Sequence, residues 1–359
     1  MTDESSVFMR RALDLAIQGW GQTAPNPMVG AVVVRDGTVV AEGYHARFGE
    51  AHAEVVALRA AGEAARGATL YVTLEPCRHH GKTPPCTDAI LGAGIARVVV
   101  AALDPTSVAG GGAQLLRDAG VRVEVGVLER EARELNAPFF HAVQSDRPWT
   151  TLKLAVSADT AIADRRGSTT WLTGGESRTE VHRLRAGSDA VAVGVGTIVA
   201  DDARLTVRDW PAPRVPPTRV VFDRSLRTPL DASVVRTAAV IPTTVITRDS
   251  ASARGKSLRD AGVDVIPADT LVDGIRALRA KGIQSLLVEG GASIASALLE
   301  EKLVDRLVIF QAPVMLGAEA LYAFDGAPPS VLHQLETLPV LVRRQLGPDV
   351  MTTFTVAER

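Results

Sequence analysis

The chain is poor in cysteine and in aromatics and has almost no excess of charge of either sign. Two cysteines in 359 residues cannot staple a secreted disulfide scaffold. Aromatics make up 4%, thin material for the stacking platforms on which single-stranded nucleic acids lie. Lys and Arg number 39 against 41 Asp and Glu, a net charge of −2, and no basic run is present to track a phosphate backbone. No apolar stretch approaches the roughly 20 residues of a membrane span. The start, MTDESSVFMRR, is acidic and polar and lacks the apolar core of a signal peptide. These features argue against nucleic-acid and membrane partners and place the expected compartment in the cytoplasm. What remains is ordinary globular material, 46% hydrophobic and 22% charged, long enough for two domains at roughly 100–200 residues each.

Strand and helix patterns alternate along the chain. An amphipathic helix is expected over 7–19, with Phe8, Ala12, Leu15 and Gly19 on one side. VGAVVVRDGTVVAEG reads as a hairpin turning at Asp36-Gly37, because a type I′ turn needs φ > 0 at both central residues. A helix from His52 to about Ala61, strands at 69–74, 97–103 and 121–127, and helices after Cys86 and near 112–119 complete an α/β unit. Residues 129–149 read as a helical segment interrupted by Pro138 and Pro148, with the domain boundary at about residue 146. A second series follows, with strands at 150–157, 189–195, 218–223, 243–247, 263–268, 284–289 and 306–313, and helices at 176–186, 271–281 and 292–301. DWPAPRVPPT, four prolines in ten residues, is read as a loop. No internal repeat is visible.

Both cysteines fall in EPCRHHGKTPPC, and His52-Ala53-Glu54 opens a helix upstream. One imidazole and two thiolates suit zinc and leave a fourth tetrahedral position open, as in catalytic rather than structural sites. Glu54, two residues from the candidate ligand His52, is the candidate proton carrier. Cys86 lies at a helix start, where the dipole is expected to favour its thiolate. The pattern matches the H-x-E and P-C parts of the zinc nucleobase-deaminase signature, with a longer cysteine spacing. Asn26, between two prolines, presents a rigid amide to a ligand or simply makes a turn. His45, His79, His80 and Lys82 are pocket candidates or plain loop residues.

The second half lacks G-x-G-x-x-G, since Val199 replaces the last glycine after Gly194. Its stronger signal is SLLVEGGASIASALLE, an apolar strand ending in Glu289-Gly290-Gly291 before a helix, suited to close backbone approach and phosphate binding.

GWGQTAPNPMVGAVVV, GYHARFGEAHAEVVAL and TLEPCRHHGKTPPC together resemble the deaminase domain of the bacterial bifunctional riboflavin-biosynthesis deaminase/reductases. TLKLAVSAD, STTWLT, HRLRAGSDAVAVGVGTIVADDARLTVR and VEGGASIASALL resemble the reductase domain. The resemblance implies a cytidine-deaminase-like three-layer α/β/α domain over 1–145 and a dihydrofolate-reductase-like α/β domain over 146–359. It implies a Zn²⁺ ion held by His52, Cys77 and Cys86, with Glu54 as proton shuttle; Asn26, His45 and His79 are read from residue type as the substrate's neighbours. It implies NADPH in the second domain, at Val156, Trp171, Thr197, Asp201 and Gly291–Ala292–Ser293; Lys153 near the hydride and Arg224 at a 2′-phosphate are read from residue type and position. Substrate contacts carried over are Thr169, Arg185, Leu205, Arg208 and Glu289, with Arg185 and Arg208 suited to grip phosphate. The implied substrate is a pyrimidine ribosyl phosphate, and the implied assembly a homo-oligomer, dimer or tetramer. Three departures stand out: Thr160 replaces the usual glycine after Asp159, TSVAGGGAQ lacks the usual basic residue, and Thr169 replaces a serine. An RNA-acting zinc deaminase with an appended ligand-binding domain, a deaminase with an impaired reductase half, and a structural zinc site without turnover are the competing readings.

Overall fold

The computed structural model describes residues 4–81, 84–164, 172–324 and 338–356. The chain divides into two compact units, residues 1–144 and 145–359.

In the first unit the elements run α1 (Glu4–Ala16), β1 (Gly30–Arg35), β2 (Thr38–Tyr44), α2 (Ala53–Ala61), β3 (Thr69–Leu74), α3 (Cys86–Ala93), β4 (Arg97–Ala102), α4 (Gly112–Asp118), β5 (Arg122–Val125), α5 (Glu129–Leu135) and α6 (Ala137–Gln144). Five strands form one sheet in the order β2-β1-β3-β4-β5. β1 pairs antiparallel with β2 and β3, and β3, β4 and β5 run parallel. The turn between β1 and β2 has Asp36 at φ 50° and Gly37 at φ 73°, as the Asp-Gly pair demands. Period-two alternation splits the sheet's side chains between two buried faces. Val33, Leu70, Val72 and Val98 pack under Ala57 of α2 and Ile90 of α3. Val32, Tyr71 and Val99 pack under Met9 of α1 and Phe140 of α6. The three-layer α/β/α expectation holds. Pro138 does not interrupt the pattern as the sequence suggested. It lies in the first turn of α6, where a missing N–H costs nothing.

The second unit runs β6 (Trp149–Val156), β7 (Ala161–Ala163), α7 (Gly175–Ala186), β8 (Ala190–Gly194), α8 (Val195–Asp201), β9 (Thr218–Phe222), α9 (Ser233–Arg236), β10 (Thr243–Thr247), α10 (Ala253–Asp260), β11 (Asp264–Pro267), α11 (Leu271–Ala280), β12 (Ser285–Glu289), α12 (Ala292–Glu300), β13 (Arg306–Gln311), β14 (Leu321–Tyr322), β15 (Val340–Leu346) and β16 (Asp349–Thr355). A nine-stranded sheet has the order β11-β10-β9-β8-β12-β6-β13-β16-β15. Its β6, β8–β10 and β11–β13 pairings are parallel, and β16 and β15 close one edge antiparallel. Both faces are covered, by α11 and α12 on one side and by α8, α9 and α10 on the other, which explains the near-continuous apolar runs of the strands. Among the described residues no helix is long and apolar enough to cross a membrane.

Candidate active sites

β2 and α2 are brought together at Gly43, where an added Cβ would stand 2.6 Å from both Ala53 O and Ala57 N. That close approach fixes the start of α2. His52 caps it in an extended conformation, φ −72° and ψ 160°, so its ring leaves the helix while Glu54 follows in the first turn. His52 is not itself helical, and both side chains line one cavity of about 380 Å³.

His52 Nδ1 lies 3.2 Å from Cys86 Sγ and 3.6 Å from Cys77 Sγ. Zn–N and Zn–S bonds of about 2.0 and 2.3 Å at tetrahedral angles separate such donors by about 3.5 Å, so the set fits zinc. It is the one His/Cys/Asp/Glu group with metal-holding geometry among the described residues. Cys86 opens α3, but the helix end favours the other sulfur, because the Cys86 amide points at Cys77 Sγ, 3.4 Å away. Hydrogen bonds from the Cys86 thiol and from His52 hold Cys77 down at about 4, while the bond to Cys77 and burial push Cys86 up. The helix start expected to serve Cys86 thus serves Cys77 through that amide, and bound zinc would take both sulfurs as thiolates. Glu54 is 3% exposed, and burial raises its pKa.

His45 is buried. Its Nδ1 lies 3.1 Å from the carbonyl of Ala51 and must donate, which leaves Nε2 to accept from Asn26 Nδ2 at 3.2 Å. Both ring nitrogens are thus spent within the protein, and burial lowers the His45 pKa, keeping it neutral. Its expected ligand contact becomes the orientation of Asn26, whose Oδ1 is left for the cavity. His79 also lines the cavity, with a buried Nδ1 that has no hydrogen-bond partner. His80 is exposed, and Lys82 lies outside the described residues. Sequence reasoning passed over Glu75, Asp104, Thr106 and Phe139 of the same wall, although Asp104 follows the carboxyl end of a parallel strand, a standard ligand position.

In the second unit, adjacent strands β8 and β12 each deliver a helix start at their carboxyl ends. α8 is capped by Gly194 and α12 by Gly291, both without a side-chain cap. A Cβ on Gly291 would meet nothing within 4 Å, so the backbone faces open space where a dinucleotide phosphate fits. Ala292 is buried and Ser293 exposed. Thr197 is half-buried on α8, and Asp201, its last residue, is exposed. Val156, ending β6, packs in the core and gives its carbonyl to Ala312 N at 2.8 Å.

Lys153 and Glu289 are neighbours across β6 and β12. Burial pushes Glu289 up, but Arg185 and Lys153 overrule it and hold the carboxyl at about 2. Burial lowers the Lys153 pKa. Arg185 bonds Glu289 through Nε at 2.5 Å and Nη2 at 2.9 Å, and Thr206 O through Nη1 at 2.9 Å. The fork expected for phosphate is therefore spent on a carboxylate. Leu205 has φ 53° and its side chain belongs to the core, which leaves only its backbone to face a ligand. Arg208 is exposed and its amide donates to His182 Nδ1 at 3.2 Å. Arg224 is exposed just past β9. Thr169 and Trp171 lie outside the described residues.

A His/Cys/Cys donor set sharing a cavity with a buried carboxyl, and a parallel sheet offering uncapped helix starts beside a half-buried lysine, define the class: a zinc-dependent deaminase fused to a reductase. Residues 2–102 match the cytidine and deoxycytidylate deaminase zinc-binding region, and residues 148–349 the RibD C-terminal domain. The chain is 45% identical to the riboflavin biosynthesis protein RibD of Aquifex aeolicus over 97% of both chains. Solved structures of Acinetobacter baumannii RibD (38% identity, TM-score 0.85, 98% of both chains) and of a diaminohydroxyphosphoribosylaminopyrimidine deaminase/5-amino-6-(5-phosphoribosylamino)uracil reductase from Thermotoga maritima (36%, 0.85, 98% of both) share the fold. The chain belongs to the RibD family, the bifunctional zinc-binding deaminases and NADPH-using reductases of riboflavin biosynthesis.

Proposed function

We propose that unit one deaminates 2,5-diamino-6-ribosylamino-4(3H)-pyrimidinone 5′-phosphate and unit two reduces the ribosyl group to ribityl, with the residues above in the following roles. The reading is supported chiefly by the three soft donors, mutually within 4.8 Å, lining one cavity with buried Glu54. In the deamination water replaces the ring amino group and ammonia leaves. Zinc, when bound on His52, Cys77 and Cys86, supplies Lewis acidity that brings water's pKa toward about 7. Glu54 carries protons between the entering water and the leaving amine. Asn26 Oδ1 accepts from the heterocycle, and His79 Nδ1 meets another polar group of the substrate.

In the reductase half, NADPH supplies the hydride that reaches C1′ of the opened ribosyl group. The first amides of α12, at Gly291, Ala292 and Ser293, hold its phosphates, with Val156, Thr197, Asp201 and Trp171 along the rest of the cofactor and Arg224 at the 2′-phosphate. Lys153 faces the reacting carbon, where its lowered pKa makes proton donation easier. Glu289 and Arg185 fix that lysine's surroundings, and Arg208, Thr169 and the Leu205 backbone hold the substrate. A cytoplasmic location is supported by the use of both cysteines as metal donors rather than as a disulfide. Val340 and Val342, exposed on edge strand β15, favour assembly into a dimer or tetramer, which light scattering would measure. Incubating purified protein with the diaminopyrimidinone phosphate, with and without NADPH, tests the function by mass. The amino-to-oxo exchange should appear without NADPH and the reduced product only with it. Unchanged substrate in both incubations would overturn the reading.

A further inference from the structure

The loop after β4 runs through Gly110-Gly111 into Gly112, the first residue of α4, and has the look of an anion cradle. Gly111 is left-handed, φ 94°, so successive amides converge on one point, as in a backbone nest. That point is already filled. Glu75, 6% exposed, accepts from Gly111 N at 3.1 Å and Ala113 N at 2.8 Å through Oε1, and from Asp104 N at 3.1 Å through Oε2. Gly112 seals the contact, since a Cβ there would fall 1.9 Å from Pro76 O. Asp104 in turn accepts from Thr106 N at 2.8 Å and Thr106 Oγ1 at 2.6 Å. Asp104, Thr106 and Ala109 line the same cavity as Cys77 and Glu54. A single carboxylate, two residues before a zinc ligand, thereby fixes one wall of the deaminase pocket.

We propose that Glu75 is a positioning residue for the deamination, setting substrate affinity by holding the 104–113 wall. The proposal rests on the deaminase reading above. Amides that a phosphate ester would need are spent on this carboxylate, so the glycine triplet is a latch and not a phosphate site. Glu75→Gln, which turns a donor toward either the Asp104 amide or the Gly111 and Ala113 amides, should raise the KM of deamination about tenfold. The kcat should stay within about twofold, with zinc content by elemental analysis and reduction of pre-deaminated substrate unchanged. Gly111→Ala attacks the latch from the other side, straining the φ 94° turn against only the flexible Arg78 side chain with Glu75 intact, and should give the same KM-only signature. A wild-type KM in both variants overturns the proposal, as does a fall in kcat with zinc loss at unchanged KM. Absence of ammonia release by the wild-type protein would instead sink the deaminase reading itself.

Discussion

Thr160 sits at φ 67°, a region that a β-branched side chain rarely enters. Its neighbour Asp159 holds the conformation, accepting from Ser157 Oγ and from the amides of Leu316 and Gly317, the latter at 2.8 Å. These bonds, the Ser157 hydroxyl first, hold its carboxyl at about 2. The turn that a glycine would make has survived the loss of the glycine. Thr160→Gly should therefore stabilise by about 0.5–1 kcal/mol, relief of strain less the glycine's added unfolded entropy, seen as a melting point about 2 °C higher. At Glu54 the expected effect is on chemistry: Glu54→Gln should cut ammonia release at least about 10²-fold while pre-deaminated substrate is still reduced, measured by coupled ammonia assay and NADPH absorbance. Glu289 has a folded pKa of about 2, below the ordinary glutamate value of 4.5, so its contribution is complete above pH 4.5 and disappears as pH falls through 2. At 1.36 kcal/mol per unit this is of order 3 kcal/mol, and Glu289→Gln should flatten acid unfolding over that range while destabilising at neutral pH. The metal residues were legible in sequence because cysteine is scarce and its spacing diagnostic. The spent donors of His45 and Arg185 were not, since residue type cannot say whether a donor already has a partner.

Among elements, α7 carries His182 and Arg185, and its N-terminus is capped from far away in sequence. Asp349 Oδ2 accepts from Gly174 N at 2.7 Å and Ser177 Oγ at 2.6 Å. Asp349→Ala should cost about 1–2 kcal/mol, the range for a lost cap, and weaken reductase turnover more than deaminase turnover in paired assays. The central parallel strands were legible because their apolar runs must be buried on both faces. α10, ARGKSLRD, was not, because only Gly255 and Leu258 are buried and no apolar stripe forms. β15 was missed for a related reason: as an edge strand exposed along most of its length, it carries no alternation to read. α8 and α9 are too short for a period to show.

At the scale of the whole chain, each unit holds its own buried clusters, and only the first carries the metal donors. His52 and Cys86 lie at the starts of α2 and α3, so metal removal should loosen both helices. Dialysis against a strong chelator should abolish ammonia release and lower the first unit's unfolding temperature, followed by calorimetry. NADPH oxidation with pre-deaminated substrate should persist, and zinc re-addition should restore the rest. Equal loss of both activities would contradict separate chemistries.

The chain of partners from the Ala51 carbonyl through His45 to Asn26 carries one more consequence. Because the imidazole is wired as a donor on one side and an acceptor on the other, the amide cannot swap ends without putting two lone pairs face to face. Whatever ring edge reaches Asn26 must bring a hydrogen with it. An exocyclic amine satisfies that demand and a ring carbonyl at the same spot does not, so the contact would favour the amino-bearing ring over its oxo counterpart.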